Sequence, residues 1–355
     1  MQGIVMTTTI QNNKSRIEYI DLAKGICIIM VVLYHIAKYY DTTLLVNSFF
    51  KLIRMPLYFF LSGVFFKSYG GFLDFFKRKT NKLLIPFAFW YLLLSVGLSL
   101  LLFHLFGIRM DRMEETGFWK TLTSFWFKED FPNSAIWFLL CLFYVNLFFY
   151  LVYLVSSYIK THRSWMILGL SLLIGIVGLL LWRFNINLPA FFDSALSSLP
   201  FFCFGYLIKN NTKLLEPNKF DKHLLLYSIL LFCIVGGVAL IFREGYSLKF
   251  NQFTIKSALI AYPCGLLGTL AVILFSKKIN KLPIISYFGQ YSIMILVTHK
   301  VILELFGLLF RSIGIADHIA IYINLTITLM TYLLLIPFMK RFMPHVTAQK
   351  DVIKV

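Results

Sequence analysis

The chemistry open to this sequence begins with a lysine and a histidine eleven residues apart, Lys24 and His35, inside an apolar run that opens Arg16-Ile-Glu-Tyr-Ile-Asp21. On a helix that spacing is three turns, so the pair returns to within about 20° of one face and is separated by about 16 Å along the axis. A cation at one end of such a stripe can hold an anion, and an imidazole at the other can move a proton. Each also has a simpler reading. Asp21, three residues before Lys24, can pair with it locally while Lys24 snorkels to an interface. A lone histidine in a membrane helix is often only a hydrogen-bond partner between helices.

A second apolar run begins with Arg54-Met-Pro-Leu-Tyr-Phe-Phe-Leu-Ser62-Gly63. Arg54 falls at about the depth of His35, where a guanidinium suits a developing oxyanion or an anionic head group, or simply anchors the helix at the interface. Ser62-Gly63 reads as a place for close helix packing. Farther on, Lys77-Arg78-Lys79-Thr-Asn-Lys82 runs into Pro86, and the i, i+3 spacing of Lys79 and Lys82 places two cations on one face. That suits a phosphate-bearing cofactor as well as it suits a positive-inside anchor. Near the C-terminus Ser292 and His299 are seven residues apart on one face, with His299 at the depth of His35. Lys300 and Glu304 form an i, i+4 pair, and Glu304 is a spare candidate for orienting a histidine from another helix. Asp21 cannot do so, since fourteen residues of helix separate it from His35 by about 21 Å.

The elements that must position these residues are membrane helices. Of 355 residues, 59% are hydrophobic and 14% charged, against roughly 25% charged in an ordinary soluble domain. Apolar runs of about 18 to 24 residues match a hydrocarbon core of roughly 30 Å. We therefore expect an all-α polytopic bundle of about ten spans, at 17–38, 48–66, 83–106, 135–156, 164–182, 190–208, 223–242, 256–276, 285–307 and 318–339. A polar cytoplasmic tail is expected at 1–15, a membrane domain at 16–342 and a second cytoplasmic tail at 343–355. No cleavable signal pattern precedes the first run. Counting Lys and Arg on the two sides gives 20 against 12, so both termini are predicted inside. The formal charge of +18 is spread in short clusters between apolar runs, a pattern of topology and lipid contact rather than of nucleic-acid binding. The five cysteines show no paired spacing and support neither a disulfide framework nor a metal site. The connection 107–134, outside in this count, could fold over an outward-facing cleft.

These features together resemble the acyltransferase-3 family of integral membrane O-acyltransferases, and the IDLAKGI opening is similar to its fucose 4-O-acetylase-like branch. The resemblance covers nearly the whole chain. Its most specific element is the basic-x10-His pattern of Lys24 and His35, joined by Met55 to Gly63, the basic run into Pro86, Trp137-Phe138-Leu139 and the stretch ending at His299. Two positions depart from the family, which often has arginine at Lys24 and an RxxR pair at Lys79 and Lys82; lysine keeps the charge but loses bidentate phosphate recognition.

The resemblance implies transfer of an acetyl group from cytoplasmic acetyl-CoA to a hydroxyl of a cell-envelope glycan or lipid-linked saccharide, in a multi-pass protein of a bacterial inner membrane. Lys24, Lys79 and Lys82, with Arg78, would hold the cofactor phosphates, His35 would act as general base, and Arg54 or His299 would stabilise the tetrahedral oxyanion. Competing readings are a glycan exporter or flippase lined by the same charges, and a small-solute transporter. Transport would be favoured by repeated broken helices, which the sequence does not signal.

Overall fold

The computed structural model describes residues 17–42, 45–107, 118–129, 131–158, 161–216, 222–242 and 246–355. The predicted tail 1–15 and the loop charges at 109–115, 130, 160, 219 and 243 lie outside them. In a bilayer every backbone polar group must find its partner within the protein, and helices achieve this one segment at a time. The described residues obey that rule: they are overwhelmingly helical, and their one β-bridge pairs Ser247 with Gln252.

Helix α1 (Glu18–Tyr39) and α2 (Leu45–Val64) are followed by a long discontinuous helix built from α3 (Phe72–Lys79), α4 (Ile85–Trp90) and α5 (Ser99–Phe106). Pro86 has no N–H to offer the carbonyl of Lys82 four residues earlier, and the chain widens into π-helix over Thr80–Leu84. A second π segment covers Tyr91–Leu98. The short α6 (Phe118–Thr123) precedes α7 (Trp137–Ser157), α8 (Arg163–Arg183), α9 (Phe192–Asn211), α10 (Leu224–Ile241) and α11 (Ile255–Ile279). A one-residue break at Tyr291 divides α12 (Pro283–Gln290) from α13 (Ser292–Ser312), and α14 (Asp317–Phe342) completes the bundle.

Among the described residues nine helical stretches are long and apolar enough to cross a membrane. The tenth expected span is α2, which has the length, 20 residues, but carries Lys51 and Arg54 in its apolar run. Two of the expected bounds change. The third span starts at Phe72 rather than 83, so the basic cluster lies on helix and not in a loop. The ninth is split at Tyr291, leaving α12 as a separate short element.

Burial separates inner from outer helices. The apolar windows of α9 and α13 are 67% buried, whereas those of α8 and α10 are 22% and 17% buried. The outer helices turn leucines and isoleucines such as Leu173, Ile176, Leu226 and Leu230 outward, as a lipid-facing surface requires.

Glycines set the closest helix crossings. A Cβ on Gly63 of α2 would lie 1.9 Å from the carbonyl oxygen of Phe202, and one on Gly205 of α9 would lie 1.9 Å from that of Phe60. The contact is reciprocal, and the Ser62-Gly63 reading as a packing site is accounted for. Gly25 of α1 and Gly289 of α12 make a second such pair, against the carbonyls of Ile285 and Asp21.

Candidate active site

The site is assembled from α1, α2, α13, the segment before α7 and a short hairpin before α11. His35 on α1 and His299 on α13 bring their rings together, centroids 5.1 Å apart and tilted by 56°. His299 is fully buried and its Nδ1 lies 2.9 Å and 3.0 Å from the carbonyl oxygens of Ile295 and Leu296. Carbonyls only accept, so Nδ1 donates, and in the neutral ring Nε2 is left as a lone pair. That Nε2 and His35 Nδ1 are both buried without a hydrogen-bond partner.

A cavity of about 300 Å³ opens in front of His35, the lower end of the range for small-molecule sites. The Arg54 guanidinium lies over the Tyr34 ring at 3.6 Å, and one of its terminal nitrogens, Nη1, is buried with no partner. The arginine is 8% exposed. Tyr58, Ser134, Trp137 and Phe138 form other parts of the wall, as do Lys38, Lys51 and Lys249. His299 does not reach the cavity; it sits behind His35.

The roof is the hairpin 246–252, tied down from three helices. Tyr246 donates to the Lys51 carbonyl at 2.9 Å, Ser194 donates to the Lys249 carbonyl at 2.8 Å, and Asn251 donates to the Gly178 carbonyl at 2.7 Å. The connection before α7 contributes Ser134 and Ala135 to the wall. It is held by Asn133, which donates to the Val297 carbonyl at 2.8 Å. It is also held by a buried ion pair between Lys128 and Asp193 at 2.5 Å.

Glu304 lies 3.9 Å from Lys300, and the Nδ1 of its helix neighbour His299 is committed to carbonyls of that same helix. Lys300 in turn donates to Ser134 at 3.2 Å.

The predicted phosphate-binding cations lie toward the opposite end of α1, on α3 and in the π segment that follows it. Lys24 Nζ is 4.8 Å from the Phe65 ring, which Lys209 also approaches at 5.6 Å. Lys79 lies 5.5 Å from the Phe75 ring. Arg78 pairs with Asp74 at 3.0 Å. Lys82 is taken up by the C-terminal tail, 2.9 Å from Asp351 and 2.9 Å from the Ala348 carbonyl. Asn81 donates to Ile353 and accepts from the Val352 and Ile353 amides, and Trp90 donates to the Val346 carbonyl. Two cations that share a face by spacing thus have different neighbours. Among the described residues no group of three His, Cys, Asp or Glu side chains is placed to hold a metal ion.

Sequence reasoning brought His35, Arg54 and His299 to one depth, and the structure places them in one site. It missed Lys38, Lys51, Lys249, Tyr34, Tyr58 and Ser134. The lysines were visible only as outside charges in the topology count, and nothing in the spacing of residues from four separate segments signals their convergence.

A polytopic helical membrane protein with an imidazole and a guanidinium on one cavity, and a second imidazole against the first, has the parts of a group-transfer enzyme. A family model described as an acyltransferase domain matches residues 17–339, and the chain belongs to this acyltransferase-3 family of membrane acyltransferases. No curated protein and no solved structure matches it.

Proposed function

We propose that the protein moves an acetyl group from cytoplasmic acetyl-CoA to a hydroxyl of a cell-envelope glycan or lipid-linked saccharide at a bacterial inner membrane, with His35 as general base. The observation that carries this reading is the placement of His35 on the cavity wall, backed by His299 and flanked by Arg54. Neutral His35 takes the proton of the sugar hydroxyl as its oxygen attacks the thioester carbonyl, forming the new C–O bond. Arg54 stabilises the tetrahedral oxyanion. Collapse breaks the C–S bond, and the departing thiolate recovers the proton from His35. A neutral His299 has no N–H left for an oxyanion, because its one proton is given to carbonyls. Its lone pair instead favours the imidazolium that forms at His35. His299 is thus a positioning residue, the part first allotted to Glu304.

The cofactor phosphates are assigned to Lys24, Lys79 and Lys82, with Arg78 beside them, while the pantetheine arm extends along α1 over the roughly 16 Å between Lys24 and His35. The pairs Lys82–Asp351 and Arg78–Asp74 are each about a third or more exposed. Such pairs are worth about 0–1 kcal/mol, so a phosphate can displace either carboxylate.

The test is mass analysis of envelope glycans from cells carrying the wild type, His35→Ala or His35→Gln, following an acetyl-sized mass that alkali removes. General-base assistance is worth about 10²- to 10⁴-fold, and both variants are expected to lose acetylation nearly completely. Glutamine can keep a hydrogen bond but cannot accept a proton near neutral pH. If His35→Gln inserts normally and still acetylates, the base assignment falls.

A further inference from the structure

The cavity wall carries more positive charge than acetyl transfer to a neutral hydroxyl requires. Lys38, Lys51, Arg54 and Lys249 all line it, together with His35, and no carboxylate is among its described lining residues. The four cations come from three separate places, α1, α2 and the roof hairpin, so no local sequence feature such as a topogenic cluster accounts for their meeting. Arg54 is the informative one. Placing a guanidinium at 8% exposure with a buried Nη1 that has no partner is costly unless a ligand completes it. The lysines keep their charge close to the wall by lying over rings: Lys51 is 4.6 Å from the Tyr246 ring, and Lys249 is 4.5 Å from that of Phe250. Both of these rings belong to the hairpin, whose Tyr246 hydroxyl also bonds the Lys51 backbone. Lys51 and Lys249 are therefore tied through the hairpin to α2, the helix that carries Arg54.

Resting on the acyl-transfer reading of the same cavity, we infer that the acceptor is an anionic saccharide, whose phosphate or carboxylate is held by Lys38, Lys51, Lys249 and Arg54 while a neighbouring hydroxyl faces His35. A phosphate would come from the linkage of a sugar to a lipid carrier, a carboxylate from an acidic sugar in the glycan itself. Either anion, fixed beside His35, selects which hydroxyl the base reaches, and so determines the position acylated as well as affinity.

The experiment measures binding of glucose 1-phosphate, glucuronate and glucose to the full chain in nanodiscs, without acetyl-CoA, for the wild type, Lys51→Gln/Lys249→Gln and, as a control cation away from the cavity, Lys213→Gln. At least one of the two anions is expected to bind more tightly than glucose, to weaken as salt rises, and to lose about tenfold or more in affinity in the double variant but not in Lys213→Gln. Preference for glucose 1-phosphate over glucuronate identifies the phosphate source, and the reverse identifies an acidic sugar. Equal binding of glucose, failure of both anions to saturate at millimolar concentration, or an unchanged affinity in the double variant overturns the inference. His35→Gln separates this inference from the catalytic reading, because it should keep anion binding while losing transfer. Wild-type protein that acetylates a glycan yet binds no anion refutes only the anionic acceptor, and anion binding without any transfer refutes only the catalysis.

Discussion

His299 spends its only neutral-state proton on the carbonyls of Ile295 and Leu296, and that one pair of bonds decides what the residue can do for its neighbour. It can accept from His35 and cannot donate. Replacing it with glutamine should lower turnover while leaving the Michaelis constant for acetyl-CoA little changed, because the cations proposed to hold the cofactor are remote from it; steady-state kinetics in nanodiscs separate the two quantities. Arg54 makes the complementary case. Its guanidinium lies over Tyr34 at 3.6 Å, and an ammonium does not reproduce a planar group there. Arg54→Lys is expected to cost about 10²-fold in turnover, the scale of a lost oxyanion donor, with insertion into the membrane unaffected. An activity within a factor of a few of wild type would remove Arg54 from the transition state. These three residues were legible in sequence because depth along a membrane helix is nearly one-dimensional: counting residues from the interface gives height. Azimuth between helices is not so encoded. Height alone could not show that His299 stands behind His35 and outside the cavity, or that Lys51 and Lys249 lean in beside Arg54.

At the scale of elements, the reciprocal glycine contacts fix where helices cross. Gly25→Ala or Gly205→Ala would place a methyl group 1.9 Å from a backbone oxygen, and no rotamer change relieves a clash with backbone. Each should destabilise the bundle by about 1–3 kcal/mol or more, seen as a lower thermal midpoint in detergent. Gly25→Ala should also reduce activity, since α1 carries His35. The C-terminal tail offers a gentler test. Lys82 must leave Asp351 to meet a phosphate, so Asp351→Asn should lower the apparent Michaelis constant for acetyl-CoA by at most about fivefold, the worth of an exposed ion pair. No change, or a rise, would detach Lys82 from cofactor binding. The sequence shows the glycines and the basic run, but the partners of Asn81 and Lys82 lie about 270 positions further on, beyond any local pattern. The break at Tyr291 was hidden for a related reason: α12 is as apolar as the span it precedes, and hydropathy registers composition without registering a bend.

For the whole molecule, the apolar runs located nearly every span, because the bilayer imposes a length that the chain cannot disguise. The exception is where charge lies on helix: α3 carries Asp74 and ends in Lys77, Arg78 and Lys79, and reads as loop. The orientation predicted from basic residues is tested by single cysteines at exposed positions, Lys213 after α9 and Asn187 after α8, in a background where the exposed Cys233 is replaced. Lys213→Cys should react with a membrane-impermeant thiol reagent only after the cytoplasmic face is opened, and Asn187→Cys in intact cells. The reverse pattern would invert the bundle and move the cations proposed for the cofactor to the wrong side for acetyl-CoA.

The contact between His35 and His299 joins positions separated by 264 residues, and this has a consequence for biosynthesis. At about 5–20 residues per second, the first histidine is made roughly 13 to 50 s before the second. Through that interval the membrane holds a growing bundle that already has the cavity's first wall but not the ring that backs it. On the mechanism proposed for His35 and His299, full acyl-transfer activity awaits the arrival of α13, and a chain stalled before residue 292 is expected to insert without reaching it.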